Sequence, residues 1–151
     1  MWKKLAQFLV VFLAGMLVTV LWMRRVPPEQ EVLDRKFQEM MHGATLAGSS
    51  TRLNNDKVYT GEKYIIESAT RLTADTWLLK SRMQEGGHDI PLPIPVTIKW
   101  AGDTPVIEVT DFSLPGMGTY TARVVLYRDQ YAGTWSGKGD AGGQIFGKIL
   151  H

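Results

Sequence analysis

The chain has 151 residues, a net charge of +2 and no cysteine. Four of its seventeen cations crowd the first 25 residues, where no acid occurs, so residues 26–151 carry a net charge of −2. Such a body lacks the basic footprint that neutralises phosphates, which excludes nucleic acid as an expected partner. Without thiols there is no disulfide framework and no cysteine-based zinc set, and no redox compartment is implied.

The first predicted element is Leu5–Met23, nineteen almost wholly apolar residues without a charge. As a helix it would reach roughly 28 Å, close to the ~30 Å hydrocarbon core of a bilayer. Lys3 and Lys4 precede it, Arg24 and Arg25 follow it, and Trp2 and Trp22 stand where indole rings settle at the two membrane interfaces. This pattern predicts an uncleaved transmembrane anchor, with the lipid bilayer as partner. A cleaved secretory signal is the alternative. Its apolar core is shorter, about 7–15 residues, and needs small residues at its exit. Here the exit is Val20-Leu21-Trp22-Met23-Arg24-Arg25, bulky and then charged. No cysteine follows for lipoprotein processing. Cations on both flanks pull in opposite directions. A short N-terminus and a large C-terminal body favour a single-pass protein with its domain on the non-cytoplasmic side.

Beyond this anchor, assigned to residues 1–25, residues 26–43 are expected to hold a linker and a short helix. Val26-Pro27-Pro28-Glu29-Gln30 reads as a stiff extended spacer, since paired prolines favour polyproline geometry. From Glu31 to His42 the apolar residues Leu33, Phe37, Met40 and Met41 recur at helical spacing, and Gly43 supplies a stop. Its acids Glu29, Glu31, Asp34 and Glu39 would repel anionic lipid, so the helix is expected to pack on the domain rather than lie in a membrane interface.

Residues 44–151 change texture, to short alternating runs broken by turn residues. Candidate strands are 44–53, 62–72, 76–84, 90–100, 104–110, 119–128, 131–136 and 144–150. This spacing, with no helical stretch between the runs, predicts one all-β domain of seven or eight antiparallel strands, a small barrel or a curled sandwich. The period of two puts Trp77, Leu79 and Met83 on the core face, with Leu92, Ile94, Val96, Ile98 and Trp100. Tyr120, Ala122, Val124 and Leu126 join them, as do Tyr131, Gly133 and Trp135. Pro91, Pro93 and Pro95 occupy the odd positions of one strand and delete three successive donors from one edge. That half-strand can pair on one side only, so the sheet is expected to be open there or the barrel to carry a gap.

No assembled catalytic set is visible. Gly142-Gly143-Gln144-Ile145-Phe146-Gly147-Lys148 matches the first part of a phosphate-binding loop, but Ile149 stands where a Ser or Thr must be. His42, His88 and His151 share no ligand spacing. Asp103, Glu108 and Asp111 form the densest acidic cluster near apolar strands; Asp103 has ordinary turn chemistry, and Glu108 interrupts Val106-Ile107-Glu108-Val109. Carboxylates of this kind would carry a hydrolase reading if one were buried. Trp77, Trp100, Tyr120 and Trp135, with Glu108, are the candidate lining of a pocket for an apolar or ring-bearing ligand. The rival for the aromatic residues is a plain core. No cofactor and no metal are expected.

The runs Trp100-Ala101-Gly102-Asp103-Thr104-Pro105-Val106-Ile107, Leu114-Pro115-Gly116-Met117-Gly118-Thr119, Thr121-Ala122-Arg123-Val124, Tyr131-Ala132-Gly133-Thr134-Trp135 and Phe146-Gly147-Lys148-Ile149 resemble an uncharacterised family of small secreted or membrane-anchored bacterial β proteins. That resemblance spans roughly residues 44–151 and brings no activity with it. Gly133-Thr134-Trp135 is similar to the G-x-W of lipocalin- and avidin-type barrels, where it sits on the first strand rather than the penultimate one. Taken together, the sequence predicts a membrane-tethered β domain serving as a binding or interaction module in the cell envelope, its partner a small apolar ligand or an envelope protein. A small acid-based hydrolase and a structural subunit of a membrane complex are the alternatives.

Overall fold

The computed structural model describes residues 28–151. The apolar stretch Leu5–Met23 lies outside them, and no helix among the described residues is long and apolar enough to cross a membrane. Helix α1 runs Pro28–Met41, three residues ahead of the expected start at Glu31. Proline's fixed φ suits a first helical turn, where its missing N–H leaves no bond unmade. The expected spacer therefore loses Pro28, Glu29 and Gln30 to the helix, and Glu29 and Glu31 stand in its first turn, where negative charge is favoured. At the other end the His42 N–H donates to Gln38 O at 3.0 Å, and Gly43 ends the helix with φ +69°.

Eight strands follow: β1 (Thr45–Arg52), β2 (Asn55–Arg71), β3 (Thr76–Glu85), β4 (His88–Ala101), β5 (Thr104–Leu114), β6 (Gly118–Tyr127), β7 (Gln130–Ser136) and β8 (Gly142–Leu150). Each pairs antiparallel with the next, and β8 returns to β1, so the sheet is a closed up-and-down barrel. Of the two expected architectures, this is the barrel and not the curled sandwich. Closure leaves no long sheet edge to template pairing with other chains.

Most strands run a residue or two beyond their expected bounds, and two outrun them further, each through a bulge. β2 begins at Asn55 rather than 62, because Gly61 is left over between the pairs Gly48↔Glu62 and Ser49↔Thr60. Gly61 takes φ +89°, which glycine adopts without a Cβ penalty, and pairing resumes beyond it. β5 continues past 110 to Leu114, with Asp111 at φ +50° in the irregularity between Val109 and Phe112. Aspartate tolerates this region. Its N–H donates to Thr121 Oγ1 at 3.1 Å on the neighbouring strand.

The barrel has two unlike ends. At the base, Phe37 and Met41 are fully buried, and Phe37 meets Trp77 edge-on with ring centres 5.1 Å apart. Trp100 lies 6.4 Å from the same ring. The inward residues of this half, among them Leu46, Ile66, Ile98, Val124, Leu126 and Ile149, are all buried. In the half towards the mouth, the inward residues Tyr64, Ile94, Val109, Ala122 and Ile145 keep part of their surface accessible, whereas Leu92, Ser50, Glu62 and Ser81 are buried.

The wall is also uneven. β4 pairs with β3 at ten positions, from Thr76↔Thr97 to Glu85↔His88. With β5 it pairs at only five, from Thr97↔Glu108 to Ala101↔Thr104. The unpaired half of the seam contains Pro91, Pro93 and Pro95, the residues without donors on that side. The gap expected from the proline spacing is present, inside a barrel that still closes.

Candidate functional site

The most unusual chemistry of the described residues is inside the barrel, on one row of paired positions. Tyr131 on β7 pairs with Gly147 on β8, Gly147 with Gly48 on β1, and Gly48 with Glu62 on β2. All four point inward, since their alternate neighbours along the strands face out. A Cβ on Gly147 would meet Tyr131 Cε1 at 2.8 Å, and one on Gly48 would meet the Tyr131 hydroxyl at 2.6 Å. The tyrosine ring therefore lies flat across two strands, in space that only glycines leave free, and carries its hydroxyl towards Glu62.

Glu62 is only 6% exposed. Ser50, one inward step along β1, donates its hydroxyl to Glu62 Oε1 at 2.6 Å, and both groups are buried. A buried carboxylate is costly unless such bonds hold it. Tyr131 is 3% exposed, and its hydroxyl has no hydrogen-bond partner among the described residues. Burial, and next the charge of Glu62, push its pKa up to about 12. The phenol therefore stays protonated at neutral pH, a donor beside an acceptor. Ser81 adds a further buried hydroxyl, satisfied by Leu92 O.

The mouth rim above this row is aromatic. Tyr120 and Trp135 are half-buried with ring centres 6.3 Å apart, and Tyr120 donates its hydroxyl to Met117 O. A cleft of about 250 Å3 opens at the mouth ends of β6, β7 and β8, lined by Leu53, Ala122, Trp135 and Gly143 together with Thr121, Arg123, Thr134, Ser136 and Gln144 of the outward phase; Glu62 and Tyr131 are not part of it. Trp135 belongs to both the rim and the cleft.

The five residues expected to line one pocket fall in three places. Trp77 and Trp100 sit at the base against Phe37. Tyr120 and Trp135 sit together at the mouth. Glu108 shares the outer face with Val106, because Pro105 and Ile107 are the buried positions of β5. There it pairs with Arg123, whose Nε is 3.4 Å from Glu108 Oε1. Arg123 also donates to Val109 O at 2.7 Å. Of the other acids, Asp103 turns between β4 and β5 at the base, whereas Asp111 lies near the mouth end of β5. Eight residues of strand separate them by roughly 26 Å, so the two carboxylates do not share a site.

Glu62 and Ser50 are the site residues that the sequence reading passes over. The available signal is alternation: Glu62 shares a face with Tyr64 and Ile66, which marks it as inward. Among the described residues no three His, Asp or Glu side chains are grouped to hold a metal ion. Compared with family models, with curated proteins and with solved structures, the chain finds no match. The chemistry of the row is therefore the basis for a functional reading. It offers a phenol and a carboxylate on one row of paired inward positions.

Proposed function

We propose that residues 44–151 are a binding module for one small, largely apolar molecule admitted at the mouth of the barrel. In this reading Leu5–Met23 tethers the module to a bilayer, with the domain on the non-cytoplasmic side. The observation that carries the reading is the contrast in burial between the two ends. An eight-stranded barrel is just wide enough either to be filled by its own side chains or to hold one small ligand. Here the base is filled, while Tyr64, Ile94, Val109, Ala122 and Ile145 retain accessible surface. The cleft of about 250 Å3 at the rim shares only Ala122 with these residues and falls slightly below the ~300–1,000 Å3 of drug-sized sites. That size suits a single ring or a short chain.

The test is titration of the detergent-solubilised full chain with 2-phenylethanol, followed through tryptophan emission. A saturable change that disappears in Trp135→Ala supports the reading. No saturable change, together with a native mass spectrum free of any small-molecule adduct, overturns it. The tether is tested separately by alkaline carbonate extraction of membranes. The full chain is expected in the pellet, and recovery in the supernatant refutes an integral anchor.

A further inference from the structure

We propose that one side of the barrel's outer wall, formed by β6, β7, β8 and β1, rests on the surface of an anionic bilayer. This rests on the tether reading above and names the face of the domain that the tether brings into contact. The four strands are neighbours in the closed sheet, and their sequences contain no aspartate or glutamate. Every acid of the strands lies in β2–β5, on the other side of the barrel. Apolar exposure follows the same division. Val125 on β6, Ala132 on β7 and Phe146 on β8 are paired side by side and point outward, with Val125 and Phe146 each 42% exposed. Tyr127 and Leu150, one outward step or two nearer the base, are more exposed still. The outward charges of this face are Arg123, shared with Glu108 of β5, and Lys148. Arg52, the remaining cation of these strands, belongs to the inward phase at the mouth.

The chain itself limits what can cover this face. Five peptide steps separate Met23 from Pro28, at most ~17 Å. Along its axis α1 adds ~14 Å from Pro28 to Phe37, which is buried at the base. A tether in the bilayer therefore holds the base within ~30 Å of the hydrocarbon edge, so the wall meets lipid at a high effective concentration. Charge disfavours a second copy as the occupant. Two such faces laid together would set cation against cation, with no acid on either face to receive them. Anionic headgroups supply that charge and draw cations held near the surface. The stems of Lys148 and Arg123 can lie along apolar surface while their heads reach the headgroups. Tyr127 suits the same boundary, where tyrosine rings settle, and Arg128 stands 5.3 Å from the centre of its ring. The turn acids Asp129 and Asp140 sit at the two ends of this face rather than on it.

Because the chain has no cysteine, a single introduced one carries a bimane label at a known place. The full chain with Ala132→Cys, at the centre of the face, is compared with Lys80→Cys, exposed on β3 across the barrel. Each is reconstituted, one chain per disc, in nanodiscs of phosphatidylcholine and phosphatidylglycerol. Lipid with a nitroxide on its headgroup quenches a label at the bilayer surface, and iodide quenches one that faces water. Nitroxide quenching is expected to be about threefold stronger at Ala132 than at Lys80, and iodide quenching weaker, as an interfacial contact requires. Adding Val125→Ser and Phe146→Ser, both at exposed positions, should bring the Ala132 label to the Lys80 values. Discs of phosphatidylcholine alone should reduce the contrast to about half, since the cations then lose their partners. Equal quenching at the two sites overturns the proposal. So does a label at Ala132 shielded from nitroxide and iodide alike, which would put protein on the face. Undiminished contrast after the two serine substitutions overturns the assigned patch, and undiminished contrast in phosphatidylcholine overturns the selection of anionic lipid. Recovery of the full chain in the carbonate supernatant refutes the tether and this contact together. A chain in the pellet with equal quenching refutes the contact alone.

Discussion

The base and the mouth of the barrel are made by the same strands in the same alternation, yet they solve opposite problems. At the base, every inward position that matters is apolar and dry, and Phe37 lies edge-on to Trp77 to seal it. Towards the mouth the alternation delivers Ser50, Glu62 and Ser81 to the same inner surface, and Tyr131 joins it opposite Leu126 near the base end of β7. The difference lies in which residue types occupy equivalent positions. Burial of large side chains against one another stabilises the base, whereas the upper half holds polar groups that cost free energy to bury. A domain this small tolerates that expense only because the lower half is well packed.

The sharpest way to break the contrast is at the row of close approaches. In Gly147→Ala the new Cβ would meet Ala47 O at 2.2 Å and the Gly48 Cα at 2.6 Å. Both are backbone atoms that cannot move without unpairing β8 from β1. A loss of more than about 4 kcal/mol is expected, seen as loss of the near-ultraviolet circular dichroism of the tryptophans. A residual cooperative transition in urea near that of the unaltered chain would refute the packing described for the row. Next in size, Phe37→Ala should cost about 3–5 kcal/mol, the range for truncating a buried aromatic ring. Chemical denaturation measures it, and a cost below about 1 kcal/mol would mean that α1 does not seal the base.

Smaller effects sharpen the comparison from the other end. Trp135 is half-buried at the rim, so Trp135→Ala should cost only about 1 kcal/mol, in keeping with the smaller area it withdraws from water. The ratio of the Phe37 and Trp135 effects is thus a direct measure of how unlike the two ends are. The smallest effect is electrostatic. Asp75 is held below its ordinary pKa by the bond and charge of Lys99, 2.6 Å away, and Asp89 by Arg82, 2.8 Å away. A carboxyl depressed in the folded state adds stability above its ordinary pKa of 3.8 and loses it as pH falls through the lower folded value. The midpoint of thermal unfolding should therefore fall slightly below pH 4, with a weaker slope in Asp75→Asn. Because both pairs are exposed, added salt should shrink the effect. An undiminished slope in high salt would place its origin elsewhere.

Much of this architecture is legible before folding, and for a physical reason. Strands announce themselves through a period of two, so the inward faces from Trp77 to Trp135 are read correctly residue by residue. Pro91, Pro93 and Pro95 likewise declare an unpaired edge, because the missing donor is a covalent fact. Closure is not legible, since the pairing of Thr45 with Leu150 joins the two ends of the domain and no local pattern encodes it. The early start of β2 hides in residues 55–61, which fall between two candidate strands until Gly61 is known to absorb the bulge. Helix α1 starts early because Pro28 serves as a first-turn residue, where a pair of prolines otherwise suggests extended chain. Glu62 is passed over because an acid on a strand ordinarily faces water. Only the register that brings Tyr131 across two glycines gives its inward position a meaning. Residue type alone groups the aromatic residues, and folding divides them by place: Trp77 and Trp100 below, Tyr120 and Trp135 above.

The half-open seam between β4 and β5 gives the wall a weak point of known location. Five paired positions on one side of β4 against ten on the other mean that distortion concentrates along a single line. Beside residues 91–95 the wall is held from the β3 side alone. The same three imino acids that create the slack also deny it to neighbouring molecules, since an edge without N–H groups cannot recruit a foreign strand. Give and guard are thus supplied by one short stretch of chain.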